Sequence, residues 1–391
     1  MQLPSDPFED VTLERLRRRG GTKWSSYDDD VVPAWVADSA APLCPAVRAA
    51  LDAVLDAGDL GYPARDLPDR VAAAFADRMA SRFGWSVDPE RVRVVTDVVQ
   101  AFSWLIDQHT EIGDGVVLQT PVYPPFIEVV ESLGRRVVHH QLAVDDDARW
   151  RFDPSTLDAS IDDTTKVVVL VNPQNPTGRC FDEDELRALG DVAVARDLVV
   201  ISDEIHAELT HDGHRHLPFA SVDPTYAERT VTITSASKAF NLAGLRCAVV
   251  HFGSAALLDR FDQIPVHQLG EVSTFGMVGA ITAWCDGGPW LDDLRRALTA
   301  RRDRVGAFLA EHLPEVRWSP PEATYLAWLD MSAFGLGDDP AAFFETHARV
   351  ALAHGPDFGP PGRGFIRLNF ATSMPVLDEI LERMVTALDL R

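Results

Sequence analysis

Short β-branched runs recur along this chain between segments of helical period, and several of them are apolar throughout. KVVVLVN (166–172), LVVISD (198–203) and CAVVHFG (247–253) are three examples. A strand that is apolar on both sides belongs in a sheet that is covered on both faces, as happens when helices flank parallel strands. Strand and helix patterns alternate from about residue 90 to about residue 280. This alternation predicts a central α/β domain.

The C-terminal part of the chain follows a different pattern. A long helical segment near 289–313 leads into short predicted strands and then a final helix. The predicted strands are VRWSP (316–320), TYLAWLD (324–330) and GFIRLNF (364–370). This order is typical of a smaller α+β domain.

We therefore predict three parts of the chain. Residues 46–285 form the large α/β domain, and residues 286–391 form the small α+β domain. The proline-rich N-terminal part fits against either domain, and we assign residues 1–45 as a segment that packs with the small one. Two domains agree with the length of the chain, which is sufficient to bury a large core.

Charge and cysteine content exclude several classes of function. The 60 acidic residues outnumber the 36 basic ones, which gives a formal net charge of -24. A field of this sign repels nucleic acid. The four cysteines have the spacing of neither a zinc site nor a disulfide framework, which fits a reducing compartment. The chain has no signal-peptide pattern and no apolar run near the roughly 18 residues of a membrane helix, so we expect a cytoplasmic protein without a membrane partner.

Four polar segments each follow a predicted strand. In chain order they are TDVVQ (96–100), NPQNPTG (172–178), SDEIH (202–206) and SASK (235–238). Ligands of open α/β sheets bind at the carboxyl ends of the strands, so we expect the four segments to meet at one site.

The last of these segments contains Lys238. Its amine can form a Schiff base with a carbonyl compound. Ser235 and Ser237 are suited to bind a phosphate, and Arg246 adds positive charge nearby. The ordinary alternative is a surface lysine, because lysine side chains are mostly exposed.

The other three segments offer a carboxylate, an amide and the start of a helix. Asp203 ends a strand, where burial is costly unless a cation pairs with it; a helix cap is the alternative role. Asn175 either presents its amide to a ligand or only shapes a turn. The N–H groups of Val98 and Val99 suit a phosphate, although many strand-to-helix turns look the same.

The combination and order of these segments resemble the pyridoxal-phosphate-dependent enzymes of fold type I, the class I/II aminotransferase family. The separations are 203 − 175 = 28 residues from Asn175 to Asp203 and 238 − 203 = 35 residues from Asp203 to Lys238. A narrower resemblance is to the MalY/PatB-like branch of cystathionine β-lyases and cysteine C–S lyases. It rests on WVAD (35–38), GY (61–62), TPVYPPF (120–126), NPQNPTGR (172–179), SDEIHAEL (202–209), SKAFNLAGL (237–245) and FIRLNF (365–370).

The resemblance implies a fold, a cofactor and an assembly. The fold is the α/β fold of the type I pyridoxal-phosphate transferases, with a large mostly parallel-sheet domain and a smaller α+β domain. The cofactor is pyridoxal 5'-phosphate, and the substrate is an amino acid. The chain is expected to form a homodimer with shared active sites.

The resemblance also assigns roles to individual residues. Lys238 holds the cofactor and moves the substrate Cα proton, Asp203 pairs with the pyridine nitrogen, and Asn175 binds the ring hydroxyl. Tyr123 is expected to stack on the ring and to act with Lys238 in catalysis. The remaining cofactor-binding residues are His206, which supports the ring, the phosphate-binding set Val98, Val99, Ser235, Ser237 and Arg246, and Tyr62 from the other protomer. The substrate-binding residues are Arg367, Trp35, Ala37, Asp38 and Asn175.

The implied reaction is β-elimination of a cysteine S-conjugate, which gives a thiol, pyruvate and ammonia. Transamination or decarboxylation of an amino acid is the first alternative, because the same residues serve all three. A regulatory binding protein that retains the cofactor is the second.

Three local features modify this expectation. Ser39 and Ala40 depart from the branch pattern and are expected to open the pocket or to alter its polarity, which favours a bulky conjugate from specialised metabolism. Asp97 places a negative charge near the expected phosphate. The histidines of HDGHRH (211–216) lack a carboxylate or cysteine to complete a metal site, so a solvated turn and no metal are expected there.

Overall fold

The computed structural model describes residues 6–390, so residues 1–5 and 391 of the predicted parts 1–45 and 286–391 lie outside it. The α-helices are α1 Leu13–Arg17, α2 Thr22–Ser25, α3 Pro45–Ala57, α4 Leu67–Phe83, α5 Val98–His109, α6 Pro124–Ser132, α7 Pro154–Ser160, α8 Glu183–Ala195, α9 Pro224–Ala227, α10 Ser237–Phe240, α11 Ala255–Phe261, α12 Val266–Leu269, α13 Thr274–Asp286, α14 Gly288–His312, α15 Pro340–His347 and α16 Met374–Asp389. The strands are β1 Val32–Pro33, β2 Val92–Val95, β3 Gly115–Thr120, β4 Arg136–Gln141, β5 Ala143–Val144, β6 Trp150–Arg151, β7 Thr165–Val171, β8 Val199–Asp203, β9 Thr230–Thr234, β10 Ala248–Phe252, β11 Leu326–Asp330, β12 Val350–Ala351, β13 Ala353–His354 and β14 Phe365–Asn369. Short 3-10 turns occupy Pro89–Arg91, Phe219–Ser221, Ala243–Leu245, Ser332–Phe334, Gly355–Phe358 and Pro360–Gly362.

A seven-stranded sheet forms the centre of the molecule, with the order β2-β10-β9-β8-β7-β3-β4. Strand β10 is antiparallel to both of its neighbours. All other neighbouring pairs are parallel. The carboxyl ends of β2, β7, β8 and β9 therefore lie at the same edge of the sheet.

Both faces of this sheet are covered, which confirms the prediction from the apolar strands. Val167 and Val169 of β7 pack on one face with Phe102 of α5. Val168, between them, packs on the other face with Leu186 of α8. Successive side chains of a strand point to opposite faces, so a strand buried on both sides has to be apolar at every position.

The C-terminal part contains an antiparallel sheet of order β11-β14-β13. Strand β1 from the N-terminal part pairs in parallel with β12, with Val32 opposite Val350. The division of the chain at residues 45 and 285 stays a prediction. The predicted strand VRWSP (316–320) is wrong, because the structure has only an isolated bridge between Arg317 and Asp330 there. Pro320 has no N–H group and cannot continue a ladder.

No helix within residues 6–390 is both long enough and apolar enough to cross a membrane.

Candidate active site

The four polar segments meet at one cavity of about 190 Å³, at the carboxyl edge of the central sheet. This position confirms the expectation that the strand ends converge. The lining residues are Ala37, Thr96, Asp97, Val98, Val99, Tyr123, Asn175, Asp203, Ile205, His206, Ser235, Ser237, Lys238, Ala243, Arg246 and Cys247.

Lys238 brings a primary amine into this cavity. It lies in the short helix α10, which begins three residues after β9 ends. Its Nζ donates a hydrogen bond of 2.7 Å to the carbonyl oxygen of Ala37. Burial, followed by the charge of Arg367, lowers the pKa of Lys238 to about 8. A fraction of the amine is therefore neutral near pH 7, as a nucleophile or base requires.

Asp203 is the last residue of β8 and is buried. Burial raises the pKa of its carboxyl to about 7; the hydrogen bond of 3.1 Å from the N–H of Ile205 opposes that shift, and the charge of Glu204 adds to it. A cationic group placed against this carboxyl keeps it ionised. In the described part of the chain no helix begins directly after Asp203, so the alternative of a helix cap is wrong.

Arg367 of β14 and Asn175 of the turn after β7 contact each other. Nη1 of Arg367 donates to Oδ1 of Asn175 at 2.9 Å, and Nη2 donates to the carbonyl of Trp35 at 2.8 Å. The guanidinium carbon lies 4.8 Å from the ring centre of Phe358. Burial lowers the pKa of Arg367 to about 10, so the side chain is still charged at neutral pH. Its buried Nε has no hydrogen-bond partner within residues 6–390 and is free to bind an anion.

The opposite end of the cavity is suited to a phosphate. Helix α5 begins at Val98, and its first N–H groups have no intrahelical acceptor. Asp97 caps this helix, since its Oδ1 accepts the N–H of Gln100 at 2.9 Å. Its Oδ2 pairs with Arg246. The negative charge that the sequence places here is thus neutralised by a cap and an ion pair.

Ser235 and Ser237 shape the loop beside this end. The hydroxyl of Ser235 donates to the carbonyl of Cys247 at 2.7 Å and accepts the N–H of Ser237 at 3.0 Å. Ser235 therefore fixes the direction in which α10 leaves the sheet. That direction places Lys238 over the carboxyl edge.

His206 and Tyr123 border the space between the two ends. His206 is buried, and burial lowers its pKa to about 3, followed by the charges of Lys238 and Arg367. It is neutral at physiological pH, and its Nδ1 has no partner within residues 6–390. Tyr123 precedes α6, is half-buried, and has a pKa raised by burial.

Four predicted site residues are not among those that line this cavity: Arg367, which reaches it only through Asn175, and Tyr62, Trp35 and Asp38. Tyr62 is 92% exposed and borders a separate surface cavity with Gly270 and Val272. Trp35 contributes its carbonyl to Arg367. Asp38 contributes its carbonyl to Lys23, whose Nζ lies 3.1 Å away. The role of Tyr62 depends on a second protomer and stays a prediction.

One expectation from the sequence is wrong, and a second holds only in part. Ser39 and Ala40 are not among the residues lining the cavity, and Ser39 is buried with its N–H on Oδ1 of Asn241 at 3.2 Å. They do not widen the pocket. Residues 212–215 form the expected exposed turn, but His211 and His216 at its two ends are buried. Their ring nitrogens lie 2.9 Å from the carbonyl of Thr324 and 3.0 Å from a carboxylate oxygen of Glu204, respectively. Within residues 6–390, no cluster of histidine, cysteine and acidic residues is arranged to hold a metal ion.

Sequence reasoning missed Tyr325 and assigned no role to Asn369. Tyr325 directly precedes β11, and its hydroxyl donates to the carbonyl of Ala37 at 3.1 Å. Asn369 ends β14 and donates to the carbonyls of Val36 and Asp38. Both residues lie inside quoted segments, TYLAWLD and FIRLNF, but they act on backbone atoms, which no side-chain motif identifies.

Comparison with known proteins gives one consistent result. The sequence model of the family described as aminotransferase class I and II matches residues 36–384. The cystathionine beta-lyase PatB of Bacillus subtilis (strain 168) is 36% identical over 389 residues, covering 97% of this chain and 100% of that protein. The structure of cystalysin from Treponema denticola, which contains a pyridoxal 5'-phosphate cofactor, aligns with a TM-score of 0.92 and 29% identity over 99% of both chains. The pyridoxal-phosphate-bound C–S lyase from Staphylococcus hominis aligns with a TM-score of 0.89 and 28% identity, over 95% of this chain and 96% of that one.

Proposed function

This chain belongs to the aminotransferase class I and II family and is a pyridoxal-phosphate-dependent carbon–sulfur lyase, and we propose that its substrate is a cysteine S-conjugate. The predictions of a type I fold and of pyridoxal 5'-phosphate as cofactor are confirmed. The proposal is carried by one observation. The amine of Lys238 and the carboxyl of Asp203 line the same cavity, and the guanidinium of Arg367 contacts Asn175 in the lining of that cavity.

The residues around the cavity fit the cofactor. Asp203 is buried with a raised pKa, so it favours a cationic partner such as a protonated pyridine nitrogen. The free N–H groups at the start of α5 and the exposed Arg246 fit a phosphate. When bound, the cofactor supplies a ring that withdraws electrons from the substrate Cα. The residues proposed to hold it are Val98, Val99, Tyr123, Asn175, Asp203, His206, Ser235, Ser237, Lys238 and Arg246.

Arg367 is proposed to bind the substrate α-carboxylate. Within residues 6–390 its Nε has no hydrogen-bond partner, and Nη1 donates to Oδ1 of Asn175, so the Nε–H remains available to a carboxylate beside Asn175. Arginine matches the two oxygens of a carboxylate with two parallel N–H donors. Contact with the ring of Phe358 fixes the plane of the guanidinium. The substrate carboxylate is thereby oriented, and with it the bond from Cα to hydrogen.

Lys238 is proposed to take the Cα proton as a general base. Its lowered pKa of about 8 leaves a neutral fraction at physiological pH. Loss of that proton leaves an electron pair at Cα, and the bond from Cβ to sulfur then breaks with its electrons on sulfur. The thiolate takes a proton and leaves as the thiol. Water then supplies the carbonyl oxygen of pyruvate as ammonia departs.

The thioether substrate is supported by the name of a relative. PatB is called a cystathionine beta-lyase, and cystathionine is a cysteine whose sulfur carries a carbon chain. Ser39 and Ala40 do not line the cavity, so they do not favour a bulky substituent on the sulfur.

The test combines a spectrum with a product assay. The purified protein is scanned for the visible absorbance of bound cofactor and then given cystathionine and a series of S-substituted cysteines of increasing size. We expect pyruvate and free thiol in equal amounts. Loss of the band without pyruvate, restored by a keto acid, would establish an aminotransferase instead. A bound cofactor with neither reaction on any amino acid would favour the regulatory protein.

Replacing Arg367 with lysine is expected to lower kcat/KM by about 10- to 100-fold, mostly through KM. Lysine keeps the charge but loses the two parallel donors that fit a carboxylate. The measurement is steady-state kinetics with the best conjugate. Arg363→Lys is the matched control, because Arg363 is exposed and pairs with Asp338. Equal effects in both variants would show that Arg367 does not bind the substrate carboxylate.

We also propose that the chain is a homodimer in which Tyr62 contacts the phosphate bound by the other protomer. Tyr62 is 92% exposed and Leu60, in the same loop, is 61% exposed. Large apolar side chains exposed together are typical of protein interfaces.

For Tyr62→Phe we expect a roughly tenfold weaker affinity for pyridoxal phosphate, because one hydrogen bond to a charged group is lost. Titration of the cofactor-free chain measures the affinity, and light scattering measures the mass against the 43.0 kDa of one chain. An unchanged affinity in a protein that is still dimeric would assign the phosphate contact to other residues. A monomeric wild-type protein would refute the shared site itself.

A further inference from the structure

The backbone from Trp35 to Ser39 is hydrogen-bonded by side chains from the N-terminal, central and C-terminal parts of the chain. Each of its five carbonyl oxygens accepts at least one side-chain donor. The donors are Arg367 to Trp35, Asn369 to Val36, Lys238 and Tyr325 to Ala37, Lys23 and Asn369 to Asp38, and Asn241 and Arg19 to Ser39. So many fixed carbonyls in succession leave the peptide planes little freedom to rotate.

The carbonyl of Ala37 differs from the other four because one of its two side-chain donors is the amine of Lys238. Nζ of Lys238 lies 2.7 Å away and the hydroxyl of Tyr325 lies 3.1 Å away. A carbonyl oxygen has two lone pairs and accommodates both. Tyr325 is 1% exposed, and burial raises its pKa far above physiological pH, so its hydroxyl stays a donor.

We propose that Tyr325 is a positioning residue for Lys238: its hydroxyl holds the Ala37 carbonyl towards the free amine, and so fixes where that amine lies when it accepts the Cα proton. The proposal rests on the proposed function of Lys238 as the base. One N–H of the amine is used by the carbonyl, which leaves the lone pair to face the substrate. The hydroxyl of Tyr325 acts on the amine through the Ala37 carbonyl, to which both groups donate.

The proposal has a consequence for the free enzyme. An acceptor fixed against an ammonium group favours the charged form, so releasing the Ala37 carbonyl lowers the affinity of Lys238 for its proton. The ionisable groups that face Lys238 from the other packed elements are Asp38, Asp203, His206 and Arg367. None of these is changed when Tyr325 is replaced by phenylalanine, which keeps the ring and removes only the hydroxyl.

The first measurement uses the small number of lysines. The chain has only three, Lys23, Lys166 and Lys238. The cofactor-free full-length chain is acetylated briefly at a series of pH values, and mass spectrometry gives the extent at each lysine, with the exposed Lys166 as reference. For Tyr325→Phe we expect the pH at which acetylation of Lys238 is half-maximal, its midpoint, to fall by about 0.5 pH unit. This is a threefold change in the neutral fraction of the amine.

The second measurement uses the holoenzyme. We expect kcat of Tyr325→Phe to fall about tenfold while KM changes less than about twofold. Tyr226→Phe is the matched control, because Tyr226 is also buried and its hydroxyl donates to Asp191 at 2.6 Å, away from the cavity. Thermal unfolding of both variants reports any general loss of stability. The control should leave kcat and the Lys238 midpoint unchanged.

Each outcome decides the proposal. An unchanged or raised Lys238 midpoint in Tyr325→Phe would overturn it, since the hydroxyl would then be irrelevant to the amine or in competition with it. Equal losses of kcat in both tyrosine variants would show a structural role only. If the wild-type protein makes no pyruvate, the proposed function fails, but the acetylation midpoints still report whether Tyr325 acts on Lys238.

Discussion

Replacing Lys238 with alanine is expected to lower kcat by at least about a thousandfold, since positioned proton transfer alone contributes 10²–10⁴-fold. On the proposed mechanism, the variant loses both the amine that holds the cofactor and the base that takes the Cα proton. No other lysine in this chain substitutes for it, because Lys23 is buried with its Nζ on the carbonyl of Asp38 and Lys166 lies at the surface.

The absorbance spectrum measures this loss independently of turnover. The visible band of lysine-bound cofactor is expected to disappear in Lys238→Ala, while far-ultraviolet circular dichroism stays that of the wild type. Lys166→Ala is the matched control and should keep both the band and the rate. A Lys238→Ala protein that still turns over at more than about a tenth of the wild-type rate would refute the role of Lys238.

Replacing Asp203 with asparagine is expected to lower kcat by about 10²–10³-fold. Removing one member of a buried ion pair typically costs about 3–5 kcal/mol, because the other charge is left without its partner. Asparagine is similar in size, so packing at the end of β8 is preserved. Steady-state kinetics with the best conjugate measures the effect. Asp158→Asn is the control, because Asp158 lies at the surface and pairs with Arg196.

The same substitution changes how stability depends on pH in the cofactor-free chain. The pKa of Asp203 is raised by burial from an ordinary 3.8 to about 7, so between these values the folded chain binds more protons than the unfolded chain. The contribution of Asp203 to the free energy of unfolding is therefore complete below about pH 4 and is lost as the pH rises to about 7. Asparagine has no such dependence.

We therefore expect cofactor-free Asp203→Asn to gain stability over the wild type as the pH rises from 5 to 8, by roughly 2–3 kcal/mol. Urea unfolding of both cofactor-free chains across this range measures the difference. Adding the cofactor should remove the disadvantage of the wild type, since a cation then faces the carboxylate. A difference that does not vary with pH would show that Asp203 is not buried as a carboxylic acid.

The sequence was sufficient to predict the layered α/β centre and the edge at which the site lies. Apolar runs such as KVVVLVN can be stable only in a strand covered on both faces, so the position of β7 follows from composition and length. Asn175 and Asp203 each follow such a run directly, and the geometry of parallel strands brings their side chains together. The resemblance to a known family supplied the cofactor, which physical patterning alone left open.

Other features could be identified only from the tertiary structure. The ion pair between Arg246 and Asp97 joins residues 149 positions apart. No periodicity in the sequence indicates a contact between residues so far apart. The histidines of HDGHRH looked solvated because they lie among polar residues, yet His211 and His216 are buried by segments that approach from elsewhere in the chain. Burial of this kind is decided by long-range packing.

The sequence by itself determined which polar segments follow the strands and meet at the cavity, because strand patterning and turn chemistry are local properties of the residues. Only the tertiary structure decided that the Ala37 carbonyl receives both Lys238 and Tyr325. The physical reason is that every residue has the same carbonyl group, so its identity as an acceptor depends on what folds against it.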